Sequence, residues 1–236
     1  KLRGVRVVVV MPTDAPQVKR DGAERLGAEI VLEGTTSVER MRRAEIIAQE
    51  EGLIIVPPFD HRHIIAGQGT VGLEVARAWE DLDMVLAPIG GGGLASGVAA
   101  AVKRILPSAK VIGIEPEGAA SMRRALDNGS PILLPKVETI ADGLKPIIAG
   151  QLTFEHANDL MDDVVTVDDE SIRDAATMLV HRHKLVVEFS GAATTAALLS
   201  GRVKCEGGRV AVVISGGNLG MPAECAECPA SPLGAT

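Results

Sequence analysis

Four consecutive glycines, Gly90-Gly91-Gly92-Gly93, lie between a hydrophobic run, Met84-Val85-Leu86-Ala87-Pro88-Ile89, and a segment of small residues with helical character, Leu94-Ala95-Ser96-Gly97-Val98-Ala99-Ala100-Ala101-Val102. A strand, a loop and a helix in that order place a row of backbone N–H groups beside a helix N-terminus with no Cβ in the way, which is an anion cradle of the phosphate-binding type. A plain strand-to-helix turn uses one or two glycines rather than four. A second strand-end loop, Ser215-Gly216-Gly217-Asn218 after Val212-Val213-Ile214, carries a hydroxyl and an amide. It reads equally as a ligand contact through Ser215 or as a turn.

The first loop has a competing reading. Gly90-x-Gly92-x-x-Ala95 satisfies the dinucleotide pattern, and Glu115 ends the next hydrophobic run at about the spacing of the acid that holds a ribose hydroxyl, so an oxidoreductase using a dinucleotide is an alternative. Against it, the glycines form a run rather than a spaced set. The chain contains no G-x-x-x-x-G-K-[ST] and no G-x-S-x-G, which removes the usual sequence grounds for nucleotide and serine hydrolysis. His61 and His63 follow Pro57-Pro58-Phe59-Asp60 on a strand-end loop and are candidates to touch substrate and move protons. His181 and His183 are two apart on a helix and do not face each other.

The elements that must position these groups alternate. Short β-branched runs recur at residues 5–10, 29–32, 53–56, 84–87, 110–114, 164–167 and 209–214, most of them separated by segments of helical period. Several lack the in-out alternation of a half-exposed strand, as expected of parallel sheets covered on both faces, and the fold class is α/β with doubly wound parallel sheets. Ser37 is placed to cap a helix with Val38, Met41, Ala44 and Ala48 inward and Glu39, Arg40, Arg42 and Arg43 solvated. Val71, Val75, Ala78 and Trp79 form another inward stripe, and Ile172, Ala175, Ala176 and Leu179 a third, capped by Asp168. Pro57-Pro58 divides a small α/β domain, residues 1–56, from a larger one, residues 57–220, with a tail at 221–236.

Composition narrows the function classes. Three Phe, one Trp and no Tyr leave almost nothing for base stacking, and 24 Lys and Arg against 31 Asp and Glu give a net charge of -7, so nucleic acid is excluded as a partner. No apolar stretch is long enough to span a bilayer. Three cysteines, two of them in Cys225-x-x-Cys228, make neither a disulfide framework nor a zinc site, and the expected location is the cytoplasm.

Taken in order, several segments are distinctive: Val10-Met11-Pro12-Thr13-Asp14-Ala15-Pro16, Pro57-Pro58-Phe59-Asp60, Ile65-Ala66-Gly67-Gln68-Gly69-Thr70, Pro88-Ile89 with the glycine run, Gly113-Ile114-Glu115-Pro116-Glu117, Thr139-Ile140-Ala141-Asp142-Gly143, Lys184-Leu185-Val186-Val187-Glu188 and Ser215-Gly216-Gly217-Asn218. The series resembles the threonine dehydratase/serine racemase family, pyridoxal-phosphate enzymes of fold type II, tryptophan synthase beta-like. The resemblance implies that Gly90, Gly91, Gly92, Gly93 and Leu94 hold the cofactor phosphate, that Ser215 hydrogen-bonds the pyridine nitrogen, and that Glu188 stands near the substrate. It further implies loss of water from L-threonine or L-serine, giving a 2-oxo acid and ammonia.

Two departures from the family pattern follow. In the racemase branch a divalent cation takes an acid, a carbonyl four residues on and a second acid two beyond; Glu115 and Ala119 match the first two positions, but the third is Ser121, which removes a charged oxygen ligand. The Ser-Phe-Lys-x-Arg-Gly-Ala segment with the Schiff-base lysine and the Ser-Gly-Asn-His segment do not occur in this sequence. The resemblance therefore implies an N-terminally truncated member with pyridoxal phosphate bound non-covalently or not at all, either active through groups such as His61, His63, Glu188 and Ser215 or acting as a binding or regulatory module. Uncovered sheet edges in such a chain imply a homodimer or larger assembly.

Overall fold

The computed structural model describes residues 2–205 and 207–218; the tail and its Cys225 and Cys228 lie outside them. Two parallel sheets organise the chain. In the first, β1 (Val8–Met11) runs beside β2 (Glu29–Leu32) in register Val8 to Glu29 through Met11 to Leu32, connected through α1 (Gln17–Arg25) and followed by α2 (Ser37–Glu51). The second has four strands, β3 (Met84–Pro88), β4 (Lys110–Pro116), β5 (Asp163–Val167) and β6 (Val210–Val212), in spatial order β5-β4-β3-β6. Its helices are α3 (Arg62–Ala78), α4 (Gly93–Ile105), α5 (Ser121–Asn128), α6 (Gln151–Leu160), α7 (Asp169–His183) and α8 (Phe189–Leu199).

The second sheet is covered on both faces, and its strand period shows how. Val85 and Ala87 of β3 and Val111 of β4 pack into one buried cluster with Ala95, Val98 and Val102 of α4. Leu86, Ile112 and Ile114 alternate onto the other face, against Ile172 and Leu179 of α7 and Ala192 and Ala196 of α8. With so few aromatic residues, the layers close through small ones. The strand order carries a consequence for the site: from β3 the chain steps outward one way to β4 and β5, then returns to lay β6 on the other side of β3. The switch point lies between β3 and β6, where ligands gather in open α/β sheets.

Several sequence expectations need correction. Residues 53–56 form no strand, and Ile54 (92% exposed) and Val56 (76%) stand in solvent with no strand paired to them among the described residues. The first strand occupies only the second half of the expected 5–10 run, and β6 is shorter than 209–214. Thr36, not Ser37, caps α2: its side chain accepts from the Glu39 N–H while the Glu39 carboxylate accepts from the Thr36 N–H, a reciprocal capping box. Ala78 and Trp79 point outward, because α3 ends at Ala78 and Trp79 turns to extended backbone; Ile65, Gly72 and Ala76 are buried instead. The α7 stripe and the Asp168 cap, which accepts from the Ser171 N–H, are as expected.

Candidate active site

A cavity of about 600 Å³ lies between the two sheets, at the carboxyl ends of β3 and β6. Topology brings the two glycine-containing loops to it: Gly90, Gly91, Gly92, Gly93 and Leu94 form part of its wall, and so do Ser215 and Glu188. Gly92 sits at the N-cap of α4 with φ 96°, a left-handed conformation that a side chain resists. Its Cβ would lie 2.7 Å from Thr153 Cβ and 2.9 Å from Met122 Cε. A Cβ on Gly91 would fall inside the Phe59 ring. The Gly91 carbonyl accepts the Thr153 hydroxyl at 2.6 Å, and the Gly92 carbonyl accepts the Ser96 N–H at 2.9 Å. Among the described residues the N–H groups of Gly91, Gly92, Gly93 and Leu94 donate to no protein acceptor. The first N–H groups of a helix have no partner within it, and four in succession lining a cavity at a helix N-terminus fit an anion with several oxygens.

Across the cavity, Glu188 precedes α8. Its N–H donates to the Gly216 carbonyl at 3.0 Å and its Oε2 accepts the Asn218 N–H at 3.2 Å, which ties it to the Ser215-Gly216-Gly217-Asn218 loop. Ser215 itself is exposed and faces the cavity. A phosphate cradle, a hydroxyl at the far wall and an intervening space of this volume together fit a phosphorylated pyridine aldehyde.

His61 and His63 are not in the cavity wall. His61 caps α3, its Nδ1 accepting the His63 N–H at 3.2 Å, and the two rings meet edge-on with centroids 5.0 Å apart. Their neighbours Pro58 and Phe59 line the cavity in their place. Asp60 also has a structural role: its carboxylate accepts the N–H groups of Gln151, Leu152 and Thr153 and caps α6 from a distant part of the chain. Arg40, expected on a solvated face, is half-buried and lines the cavity near Asp14, and burial pushes its guanidinium down from the ordinary arginine range. Lys19 and Asp142 complete the wall, 2.6 Å apart. Asp142 lies in the distinctive Ala-Asp-Gly segment; nothing in the residues around Lys19 marked it.

Glu115, Ala119 and Ser121 are brought together, but not as a cation site. Glu115 is fully buried, and its carboxylate accepts the N–H groups of Met122 and Arg123, each at 2.8 Å, at the start of α5, with Ser121 Oγ at 3.5 Å. One carboxylate already committed to two amides, beside a serine where a second acid would be needed, does not fit a hard divalent cation. The same burial keeps Glu115 from a ribose hydroxyl, which removes the support for the dinucleotide reading.

Burial pushes the Glu115 pKa up to about 7, against the opposing pull of the two amides. A carboxyl that titrates near 7 when folded and near 4.5 when unfolded keeps its proton in the native state over that interval. Its contribution to stability is therefore full below the lower value and lost as pH rises through the upper one. Urea unfolding between about pH 5 and about pH 8 is expected to show this loss in the wild type and to lack it in Glu115→Gln.

The match to known proteins agrees with this geometry. The family described as pyridoxal-phosphate-dependent enzymes matches residues 1–216. The L-threonine ammonia-lyase of Thermotoga maritima is 40% identical over 216 residues, 92% of this chain and 54% of that protein. The serine racemase of Oryza sativa is 39% identical over 226 residues, 94% of this chain and 66% of that protein. Among solved structures, maize serine racemase superposes with a TM-score of 0.88 at 35% identity, covering 95% of this chain and 70% of that one. The chain thus spans about half to two thirds of the length of the curated relatives it matches. Among the described residues no helix is long and apolar enough to cross a membrane.

Proposed function

Because the chain belongs to the family of pyridoxal-phosphate-dependent enzymes, we propose that its cavity holds pyridoxal phosphate and that it serves as an ammonia-lyase for L-threonine or L-serine, yielding a 2-oxo acid and ammonia. The observation that carries this reading is the row of unpartnered N–H groups from Gly91 to Leu94, facing Ser215 across the β3/β6 switch point. Similarity to an L-threonine ammonia-lyase supports the reaction class.

In this reading the Gly91, Gly92, Gly93 and Leu94 amides at the α4 N-terminus hold the phosphate by direct donation and by the helix dipole. Ser215 donates its hydroxyl hydrogen to the pyridine nitrogen; a neutral hydroxyl, unlike an acid, leaves that nitrogen without a proton and favours elimination over transamination. Glu188, its carboxylate anchored by the Asn218 N–H, is placed to take up a proton and pass it to the substrate hydroxyl that leaves as water. The cofactor supplies, when bound, an electron sink for the bond broken at the substrate α-carbon. One water leaves in the elimination and one returns in hydrolysis of the product, so the net products are the 2-oxo acid and ammonia.

The test is release of 2-oxobutanoate from L-threonine and of pyruvate from L-serine by the purified chain, with and without added pyridoxal phosphate. Cofactor-dependent release of either keto acid is expected. Saturable cofactor binding with no keto acid from either amino acid contradicts the lyase reading and leaves a binding module.

A further inference from the structure

Little holds the first sheet against the rest of the molecule, although the cavity depends on both sides. Among the described residues, one hydrogen bond joins residues 2–56 to the rest of the chain, and both ion pairs that do so involve the same side chain. Lys19 Nζ, on α1, lies 2.6 Å from Asp142 Oδ2 and 3.9 Å from Glu188 Oε2. The chain segment that links the two parts offers no substitute, since Ile54 and Val56 are exposed and unpaired. The three side chains are only 27%, 33% and 13% exposed, so solvent and salt screen the attraction less than at an open surface.

The two carboxylates belong to different loops of the far wall. Asp142 opens a short helical turn whose Gly143 N–H donates to Ser190 Oγ at 2.8 Å, in α8. Glu188 is bonded to Gly216 and Asn218, which follow Ser215 in the same loop. One ammonium from the first sheet therefore engages both loops. Loss of the pair frees Met11, Pro12, Asp14, Ala15, Pro16 and Arg40, which line the cavity from the first-sheet side, to move away from Ser215.

We propose that Lys19 is a positioning residue whose ammonium, bridging Asp142 and Glu188, seats the first sheet over the cavity and so sets the cavity's hold on a phosphate-bearing ligand. The seating follows from the contacts alone; its effect on ligand affinity rests on the cofactor reading above.

The test compares Lys19→Met, Asp142→Asn, the double variant and Lys19→Arg by small-angle scattering and by titration with pyridoxal phosphate, with thermal melts to establish that each is folded. Lys19→Met is expected to enlarge the radius of gyration and to weaken binding about fivefold, the effect of one partly sheltered ion pair. Asp142→Asn, which keeps the Glu188 contact, should do the same to a smaller extent, the double variant should match Lys19→Met, and Lys19→Arg should stay within about twofold of the wild type. Wild-type protein at about 1 M salt, where the Debye length is about 3 Å, should shift only part of the way toward Lys19→Met, because the pair is partly sheltered. Unchanged scattering in Lys19→Met, or effects of the two single substitutions that sum in the double variant, overturns the proposal. If the wild type takes up no cofactor, the cofactor reading fails while the scattering still decides the seating.

Discussion

Gly91→Ala is expected to weaken pyridoxal phosphate binding by about ten- to a hundredfold, the loss of one or two charge-assisted hydrogen bonds to the phosphate at about 1.4 kcal/mol per factor of ten. The new Cβ would fall inside the Phe59 ring, while the Gly91 carbonyl is pinned on the other side by the Thr153 hydroxyl. The loop must shift or Phe59 must leave, and either response moves the Gly91–94 amides off a common target. Overpacking of this kind also costs about 1–3 kcal/mol of stability, so affinity and melting temperature fall together. Phe59→Ala in the Gly91→Ala background removes the clash and should recover much of the affinity. Absence of recovery would mean that the glycine serves something other than clearance from Phe59.

The second large effect lies beneath the site. α4 carries the cradle at its N-terminus and is held by close packing against α3. A Cβ at Gly97 would lie 2.5 Å from Gly69 N and 2.7 Å from Gln68 C, both backbone atoms that cannot turn aside. Gly97→Ala must separate the helices, and a loss of about 1–3 kcal/mol or more is expected, lowering the melting temperature by roughly 2–12 °C in a chain of this size. Gly67→Ala, on α3 with nothing within 4 Å of the new methyl, is the matched control. Alanine's helix propensity makes it neutral or stabilising by up to about 1 kcal/mol. Equal melting temperatures for the two variants would contradict the close packing of α3 on α4.

What could be read from the sequence follows from how local each cause is. The Gly90–93 run and the Ser215-Gly216-Gly217-Asn218 loop were legible because a residue without Cβ after a β-branched run has few structural uses, and the alternating elements then imply a sheet that collects such loops at one end. The Asp168 cap was legible for the same reason, its bond reaching only three residues along the chain. The roles of Arg40, Asp60 and Lys19 were not, because each depends on a partner or cavity wall supplied from far away in sequence. Asp60 caps a helix 91 residues downstream, and Lys19 meets its acid 123 residues away. Residues 53–56 have strand composition, yet β structure requires a neighbour and composition cannot supply one. His61 and His63 were plausible by residue type alone; the His61 ring caps α3 through the His63 N–H, and neither residue lines the cavity.

Whether the α4 N-terminus grips a phosphate is decided most directly by a pair of titrations of the purified chain, one with pyridoxal phosphate and one with pyridoxal, followed by absorbance and equilibrium dialysis. The two ligands differ only in the group assigned to the Gly91, Gly92, Gly93 and Leu94 amides. Saturable binding of the phosphorylated ligand, at least about tenfold tighter than pyridoxal and competed by inorganic phosphate, is the predicted result. Equal affinity for the two ligands, or no uptake of either, would contradict the account.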